Sequence, residues 1–298
     1  MAERLRILLQ TTIAPTRDDW SIDRFSLLRE HLASLSRTEA NLRFEVDARD
    51  RASPGGPDPF LADLDHSDYD QLWLFAVDTG DGLDARDCAG ISRFRKKGRG
   101  LLVTRDHMDV GSSVCGLGGI GAAHYFHSRN LDPDTSRHRI DDRDTDYISW
   151  PNYHSGANGD WQTIEAVAPA HPLLSDPSSP DGLIRYLPAH PHEGGVGAPP
   201  DDPTARVIAQ GRSKVTGTPF NIAVAFEASE AGGPALAEST FHHFADYNWD
   251  PAKGCPSFVT EPVGHGLAEF PEALRSTRRY ARNIALWLAG RPLTPGSG

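Results

Sequence analysis

Two histidines and a glutamate lie together in the segment His190-Pro191-His192-Glu193. Imidazole and carboxylate groups are common zinc ligands, and Pro191 would keep the backbone extended so that His190 and His192 point to the same side. The spacing matches no established zinc motif, and a polar loop with exposed histidines is the alternative. We take His190 and His192 as candidate ligands of a divalent metal such as zinc.

Asp106 and His107 form a second group that could do chemistry, and they directly follow the apolar run at 100–104. One interpretation is a general acid or base with a carboxylate beside it. The other is that Asp106 caps the next helix and that His107 packs beneath it. Both residues are candidate catalytic groups.

His242 and His243 form a third group, at the end of a predicted strand over 236–241. Adjacent side chains of a strand point to opposite faces, so only one of the two is expected to face a pocket. Asp246, three residues after His243, could orient that imidazole and contact the substrate. The alternative is that Asp246 caps a helix and that the histidine fills the core.

Apolar runs and helical periodicity predict the elements that must hold these residues. The predicted strands are 6–10, 42–46, 72–77 and 100–104, and the predicted helices are 22–35 and 83–97. This alternation is typical of an α/β fold with a mostly parallel, doubly wound sheet covered by helices on both faces. Such sheets bind ligands at the carboxyl ends of their strands, so Thr11 at the end of the first strand is a predicted substrate contact.

A polar segment over 132–161 interrupts the second half of the chain and is too long for an ordinary loop. We predict an inserted lid or hairpin there. Trp150 and Tyr153 within it could stack on a sugar or another flat ligand, or could simply anchor the insertion. Further strands are predicted at 163–167, 183–187, 205–210, 221–227 and 236–241, before a final amphipathic helix at 271–289.

The composition excludes several classes of partner. The 298 residues include 30 Lys and Arg against 41 Asp and Glu, a formal net charge of −11. An acidic chain is not expected to bind DNA, RNA or an anionic membrane. Its three cysteines are widely spaced, and no apolar run has the length of a signal peptide or a membrane span. We predict one cytoplasmic domain over 1–290, a disordered tail over 291–298 and a small-molecule partner, and we leave a homodimer open.

Several segments, in their order along the chain, resemble the ThuA-like (trehalose-utilisation-like) proteins of the class I glutamine amidotransferase-like superfamily. They are DYDQLWLFAV before a helix, the GLLVT strand, HPLL before a loop with Glu193, the late strand ending in two histidines, and the final NIALWL helix. The resemblance covers roughly residues 4–290 and implies a flavodoxin-like three-layer sandwich. It also implies a functional role for Glu193 and for His242 or His243, the latter at the position of the superfamily's triad histidine.

The residue that would make this chain a glutaminase is missing. Class I amidotransferases carry a nucleophilic cysteine at a sharp turn after a strand, whereas the matching turn here reads TRDHM at 104–108, and Cys115 lies too far along the chain. Without a thiolate, glutamine hydrolysis loses its covalent route. ThuA-like proteins also lack this cysteine, so the resemblance implies a link to carbohydrate metabolism without fixing a reaction.

We therefore expect an enzyme that acts on a carbohydrate-like or other polar small metabolite through histidines and carboxylates. Hydrolysis, isomerisation and elimination stay open, with or without a divalent metal. The predicted catalytic residues are Asp106, His107, Glu193, His242 and His243. The alternative is a non-catalytic protein that binds a small molecule or serves as a scaffold on the same fold. The enzyme hypothesis requires these side chains to share one pocket.

Overall fold

The computed structural model describes residues 2–142, 145 and 147–293, in which one large sheet carries helices on both faces. The strands in chain order are β1 (Glu3–Thr11), β2 (Leu42–Arg49), β3 (Gln71–Phe75), β4 (Gly100–Thr104), β5 (His124–Tyr125), β6 (Trp161–Thr163), β7 (Glu165–Ala166), β8 (Tyr186–Pro188), β9 (Gly195–Val196), β10 (Ala205–Arg212), β11 (Pro219–Phe226) and β12 (Ala235–Glu238). The α-helices are α1 (Ser26–Ser34), α2 (Pro59–Ala62), α3 (Ala85–Lys96), α4 (Asp246–Trp249), α5 (Gly266–Glu269) and α6 (Pro271–Leu288).

The main sheet has eight strands in the order β2-β1-β3-β4-β12-β11-β10-β7. The first five strands are parallel, and the last three continue the sheet antiparallel. The predicted mostly parallel α/β sandwich is therefore confirmed. Because β4 and β12 are parallel neighbours, with Thr104 paired to Glu238, the residues that follow these two strands emerge side by side at one edge.

The central strands are apolar because both of their faces are covered. Every residue of β3 and β4 is buried, as expected for parallel strands between two helical layers. Along β1 the side chains alternate, so that Ile7 and Leu9 join the core beneath α1 and α6, while Leu8 joins the core beneath α3. The two hydrophobic cores, one on each face of the sheet, fix the position of the edge at which the residues after β4 and β12 emerge.

The late strand is shorter than the sequence predicts. It ends at Glu238, because the Thr240 hydroxyl accepts the His242 backbone N–H (3.1 Å) and starts a tight turn over Phe241–His243. His242 and His243 therefore lie on a turn rather than at the end of a strand. The predicted strand over 163–167 is likewise divided between β6 and β7, which belong to different sheets.

The described residues of the polar insertion are irregular in structure and form no hairpin. They contain a short turn at Thr135–Arg137 and isolated bridges from Ile140 to Asn152 and from Tyr153 to Glu193. Residues 143, 144 and 146 of the insertion lie outside the described residues, as do residues 294–298 of the predicted tail. None of the helices in the described part of the chain has the length and apolarity needed to cross a membrane.

Candidate functional site

Three predicted site residues converge at the carboxyl edge of the parallel strands. Asp106 comes from the turn after β4, His242 from the turn after β12, and His190 from the segment after β8. The His190 Nε2 atom lies 3.2 Å from Asp106 Oδ1, and the His242 Nε2 atom lies 3.7 Å from Asp106 Oδ2. The two imidazoles are stacked with ring centroids 3.6 Å apart, and all three residues are buried. One ligand atom from each lies within 4.8 Å of the others, which is the spacing of a metal site.

The amide of Asn248 fixes the proton position on His242. Its Nδ2 atom donates to the carbonyl oxygen of Ala189 (3.0 Å), and a carbonyl oxygen can only accept. The Asn248 Oδ1 atom must therefore be the one that faces His242 Nδ1, at 2.7 Å. His242 carries its proton on Nδ1, and the Nε2 lone pair points toward Asp106.

The same chain of hydrogen bonds fixes the proton on His190. Asn248 Nδ2 also donates to Asn158 Oδ1 (2.8 Å), so this oxygen is an acceptor, and His190 Nδ1 at 2.9 Å must donate to it. Burial lowers the pKa of both His190 and His242 well below its usual value, which keeps both rings neutral. Both Nε2 lone pairs therefore point toward the Asp106 carboxyl group.

The three groups together form a set of electron-pair donors that can bind a cation. His190 Nε2 is buried and has no hydrogen-bond partner among the described residues, and buried polar groups without partners are costly. The Thr240 hydroxyl donates to Asp106 Oδ1 (2.8 Å) and orients the carboxylate. Two imidazoles and one carboxylate, each held by a further hydrogen bond, fit a divalent metal ion.

His107 and His192 lie in the same cavity as these three residues but outside the ligand group. His107 Nε2 is 3.5 Å from Asp106 Oδ2, and burial lowers the pKa of His107 to about 4. Its ring meets that of His192 edge to face, with centroids 5.4 Å apart. The site thus offers two more imidazoles on its open side.

His192 is held by Glu261 and Asn152, although the sequence predicts it as a metal ligand. Its Nε2 atom lies 3.2 Å from Glu261 Oε1, and its Nδ1 atom lies 3.4 Å from Asn152 Oδ1. The hydrogen bond from His192 lowers the pKa of Glu261 to about 2, so that carboxylate is ionised. The structure therefore groups His190, but not His192, with the candidate ligands.

Glu193 and His243 lie behind the site in a fully buried network. His243 Nδ1 is 2.9 Å from Glu238 Oε2, and its Nε2 is 3.4 Å from Glu193 Oε1. Burial disfavours the charged ring, but the two glutamates outweigh it and raise the pKa of His243 to about 10. The Ser239 hydroxyl donates to Glu193 Oε2 (2.7 Å). These side chains do not line the cavity, and they join the segment that carries His190 to the turn that carries His242.

Thr11 and Asp246 have structural partners away from the metal ligands. The Thr11 hydroxyl donates to the Asp50 carboxylate. The Asp246 carboxylate accepts the backbone N–H groups of Ser26 (3.0 Å) and Leu27 (2.8 Å), at the start of α1. Asp246 therefore does not orient either histidine, and the oxygens that hold His242 and His243 belong to Asn248 and Glu238.

Trp150 and Tyr153, which are predicted to stack on a ligand, stack on other side chains of the protein. Trp150 stacks on His138, with centroids 3.7 Å apart and an interplanar angle of 4°. Tyr153 stacks on Phe220 at 4.9 Å, and its hydroxyl donates to the Arg137 carbonyl oxygen (2.6 Å). Neither is among the residues that line the cavity.

A cavity of about 310 Å³ opens on the free side of the candidate ligands. Its lining includes several residues that the sequence analysis did not single out: Asp19, Trp20, Tyr147, Asn158, Phe258 and Glu261. Trp20 packs edge-on against His242, with ring centroids 4.7 Å apart. These residues come from distant loops, and no local spacing motif links them to the histidines.

The topology defines an α/β fold with a large, mostly parallel central sheet, and several solved structures are similar to it. They include the N-terminal domain of mmIFT52, with 9% identity, 95% of this chain and 97% of that chain covered, and a TM-score of 0.53. A ThuA-like protein from Parabacteroides merdae has 13% identity, 89% and 96% coverage and a TM-score of 0.45. The glutaminase domain of CTPS from Trypanosoma brucei has 16% identity, 93% and 94% coverage and a TM-score of 0.44.

At these identities the likeness shows the fold alone. No protein-family model matches the sequence, and no curated protein matches it significantly. The chemistry of the site therefore has to be argued from its own residues.

Proposed function

We propose that this protein is a metal-dependent enzyme that acts on a carbohydrate-like or other polar small molecule. The observation that carries the proposal is the convergence of His190 Nε2 and His242 Nε2 on the Asp106 carboxyl group, with the Nδ1 proton of each imidazole engaged elsewhere. A divalent cation bound there would be coordinated by all three groups. The donor set suits Zn²⁺ and also Fe²⁺.

Each of the three residues would have a defined role. His190 and His242 would bind the ion through Nε2, and Asp106 would bind it through a carboxylate oxygen. A divalent ion in such a site polarises the substrate and lowers the pKa of water toward neutrality. The cavity on the open side would admit the substrate.

His107 is the residue best placed to exchange a proton with a molecule in this cavity. Its Nδ1 atom has no hydrogen-bond partner among the described residues, and its side chain is 17% exposed. His192 stands beside it, held by Glu261. Water activation next to an uncharged imidazole favours hydrolysis as the reaction class, while isomerisation and elimination would use the same residues.

A glutaminase reaction is not part of the proposal. Cys115 does not line the cavity, and burial raises the pKa of its thiol. A thiol with a raised pKa is a poor nucleophile at neutral pH. The turn after β4 offers Asp106 and His107 where a glutaminase would offer cysteine.

Metal analysis of protein purified without chelators tests the proposal. We expect about one equivalent of Zn²⁺ or Fe²⁺ per chain, lost in His242→Ala and in Asp106→Asn because each removes one of only three ligands. His66→Ala is the matched control, since its side chain is 72% exposed and lies outside the site.

A wild-type protein that retains neither metal after loading and desalting would overturn the proposal. A protein that holds the metal and binds sugars or related metabolites, but converts none of them, would support the alternative of a non-catalytic binding protein. Activity screening of the loaded wild type beside His107→Ala separates these two outcomes.

A further inference from the structure

The cavity beside the candidate ligands combines acidic and aromatic side chains. Asp19 and Glu261 present carboxylates, and Trp20, Tyr147 and Phe258 present aromatic rings. The lining residues that the structure describes include no lysine and no arginine. Carboxylates together with aromatic faces form the environment that organic cations prefer.

Asp19 has no cationic partner in the described part of the chain. Its Oδ1 atom accepts the backbone N–H of Trp20 (2.7 Å), and the neighbouring Arg24 donates to the Asp19 carbonyl oxygen (2.9 Å) instead of the carboxylate. Burial raises the pKa of Asp19, and the Trp20 backbone N–H and the charge of Arg24 offset this rise only in part. Glu261 differs, because His192 lies 3.2 Å from it.

The second feature of the cavity is the lone pair of His190 Nε2, which is buried and without a partner among the described residues. It points to a ligand at the metal-binding part of the cavity. A molecule that satisfies both His190 and Asp19 needs an oxygen donor for the ion and a positive charge for the carboxylate. About 310 Å³ is enough for a small metabolite.

We infer that the substrate is a small organic cation, with an ammonium group directed at Asp19 and an oxygen group directed at the metal ligands. This inference rests on the proposed metal centre. A preference for a cationic substrate would distinguish this protein from enzymes that act on phosphorylated or carboxylated metabolites. The sites of those enzymes present lysine or arginine to the anion.

Three hydroxamates of equal chain length test the charge preference on zinc-loaded protein. β-Alanine hydroxamate carries an ammonium group, butyrohydroxamate is its neutral analogue, and succinic monohydroxamate is the anionic analogue. Dissociation constants from calorimetry are expected to be at least about tenfold lower for the cation than for the anion, with the neutral compound between them. In Asp19→Asn the ratio of the dissociation constant of the anion to that of the cation is expected to fall about threefold or more. The substitution removes the negative charge of the side chain and keeps its shape.

Asp23→Asn is the control, because Asp23 is an exposed carboxylate of the same segment that does not line this cavity. It should leave the ratio unchanged. Anion binding as tight as cation binding, or an unchanged ratio in Asp19→Asn, would overturn the inference while leaving the metal centre intact. A protein that holds its metal but binds none of the three compounds would also overturn the inference alone, whereas a protein that holds no metal would overturn the proposed function and this inference together.

Discussion

Asn248 is the residue that connects the two histidine ligands. One amide receives a hydrogen bond from His242 and gives others to Ala189 and to Asn158, the acceptor of His190. Because partners of this kind set the tautomer and orientation of ligating histidines, they contribute to metal affinity without touching the ion. Asn248 is therefore a positioning residue for the candidate metal centre.

Replacing Asn248 with alanine should weaken metal binding by about 10- to 100-fold, since both imidazoles lose their fixed tautomer. Competition with a chromophoric chelator would measure the zinc dissociation constant. Asn221→Ala is a suitable control, because Asn221 also donates to a backbone oxygen, that of Val196 (3.0 Å), but lies on β11 away from the ligands. Equal zinc affinities in Asn248→Ala and the wild type would contradict this role.

Part of the site could be predicted from residue types alone. Asp106, His190 and His242 stand out because titratable side chains follow apolar strands or cluster in short segments. Asn158 and Asn248 do not, since an asparagine has no distinguishing local pattern and its role arises from contacts over 90 residues of chain. The sequence could not separate His190 from His192 either, because the partner of His192, Glu261, comes from a distant loop.

At the scale of elements, the buried network of His243, Glu193 and Glu238 ties the turn after β12 to the segment after β8. Its members follow directly on the cavity residues in sequence: His243 after His242, and Glu193 after His192. A rigid connection at this point keeps the two ligand-bearing segments at a fixed distance. Glu193, to which the resemblance assigns a functional role, thus supports the site without lining the cavity.

The network makes stability depend on pH. His243 has a pKa of about 10 in the folded chain, against an ordinary value of 6.5 for an exposed histidine, so the folded state keeps the imidazole proton between these two pH values. The stabilisation is complete below pH 6.5 and is lost as the pH rises through 10. Glu193→Gln should cost on the order of 3 kcal/mol near neutrality, because it leaves the imidazolium with one carboxylate fewer, and should flatten this decline.

Urea unfolding of metal-free protein between pH 6 and pH 10 would measure the effect. Glu230→Gln, at an exposed glutamate, is the control and should follow the wild type. If Glu193→Gln and the wild type lose stability in parallel across this range, the network is not the source of the pH dependence.

The parallel strands and the antiparallel strands β10 and β11 could be predicted from sequence, whereas β7 and the end of β12 could not. β3 and β4 are continuous apolar runs because they are covered on both faces. β7 has only two residues, and its place beside β10 depends on pairing across the chain. The end of β12 depends on one hydroxyl, that of Thr240, which hydropathy does not register.

At the scale of the molecule, the last helix, α6, is linked to a segment in the first third of the chain. Arg282 of α6 is buried and forms a bidentate ion pair with Glu39, which follows α1. Its Nη1 atom also donates to the carbonyl oxygen of Leu293 (3.0 Å), near the end of the described residues. The loop after α1 and the segment after α6 are thus joined through one guanidinium on the face opposite α3.

Arg282→Ala should lower the free energy of unfolding by about 3 kcal/mol, because Glu39 loses its partner in a largely buried site. Arg278→Ala on the same helix is the matched control and should stay within about 0.5 kcal/mol of the wild type, since Arg278 is exposed. Denaturant unfolding followed by tryptophan fluorescence measures both. If the free energy of unfolding falls by similar amounts in the two variants, the loss of stability comes from helix propensity and not from the ion pair.

The hydrogen-bond chain at the site begins at the carbonyl oxygen of Ala189, which belongs to the main chain. Substitution of a side chain cannot remove this atom. The proton positions on both imidazoles therefore depend on the path of the backbone at position 189 as well as on the two asparagine side chains. Because Ala189 is fully buried, a larger side chain there would have to displace its neighbours, and a shift of this one carbonyl oxygen would affect both candidate ligands.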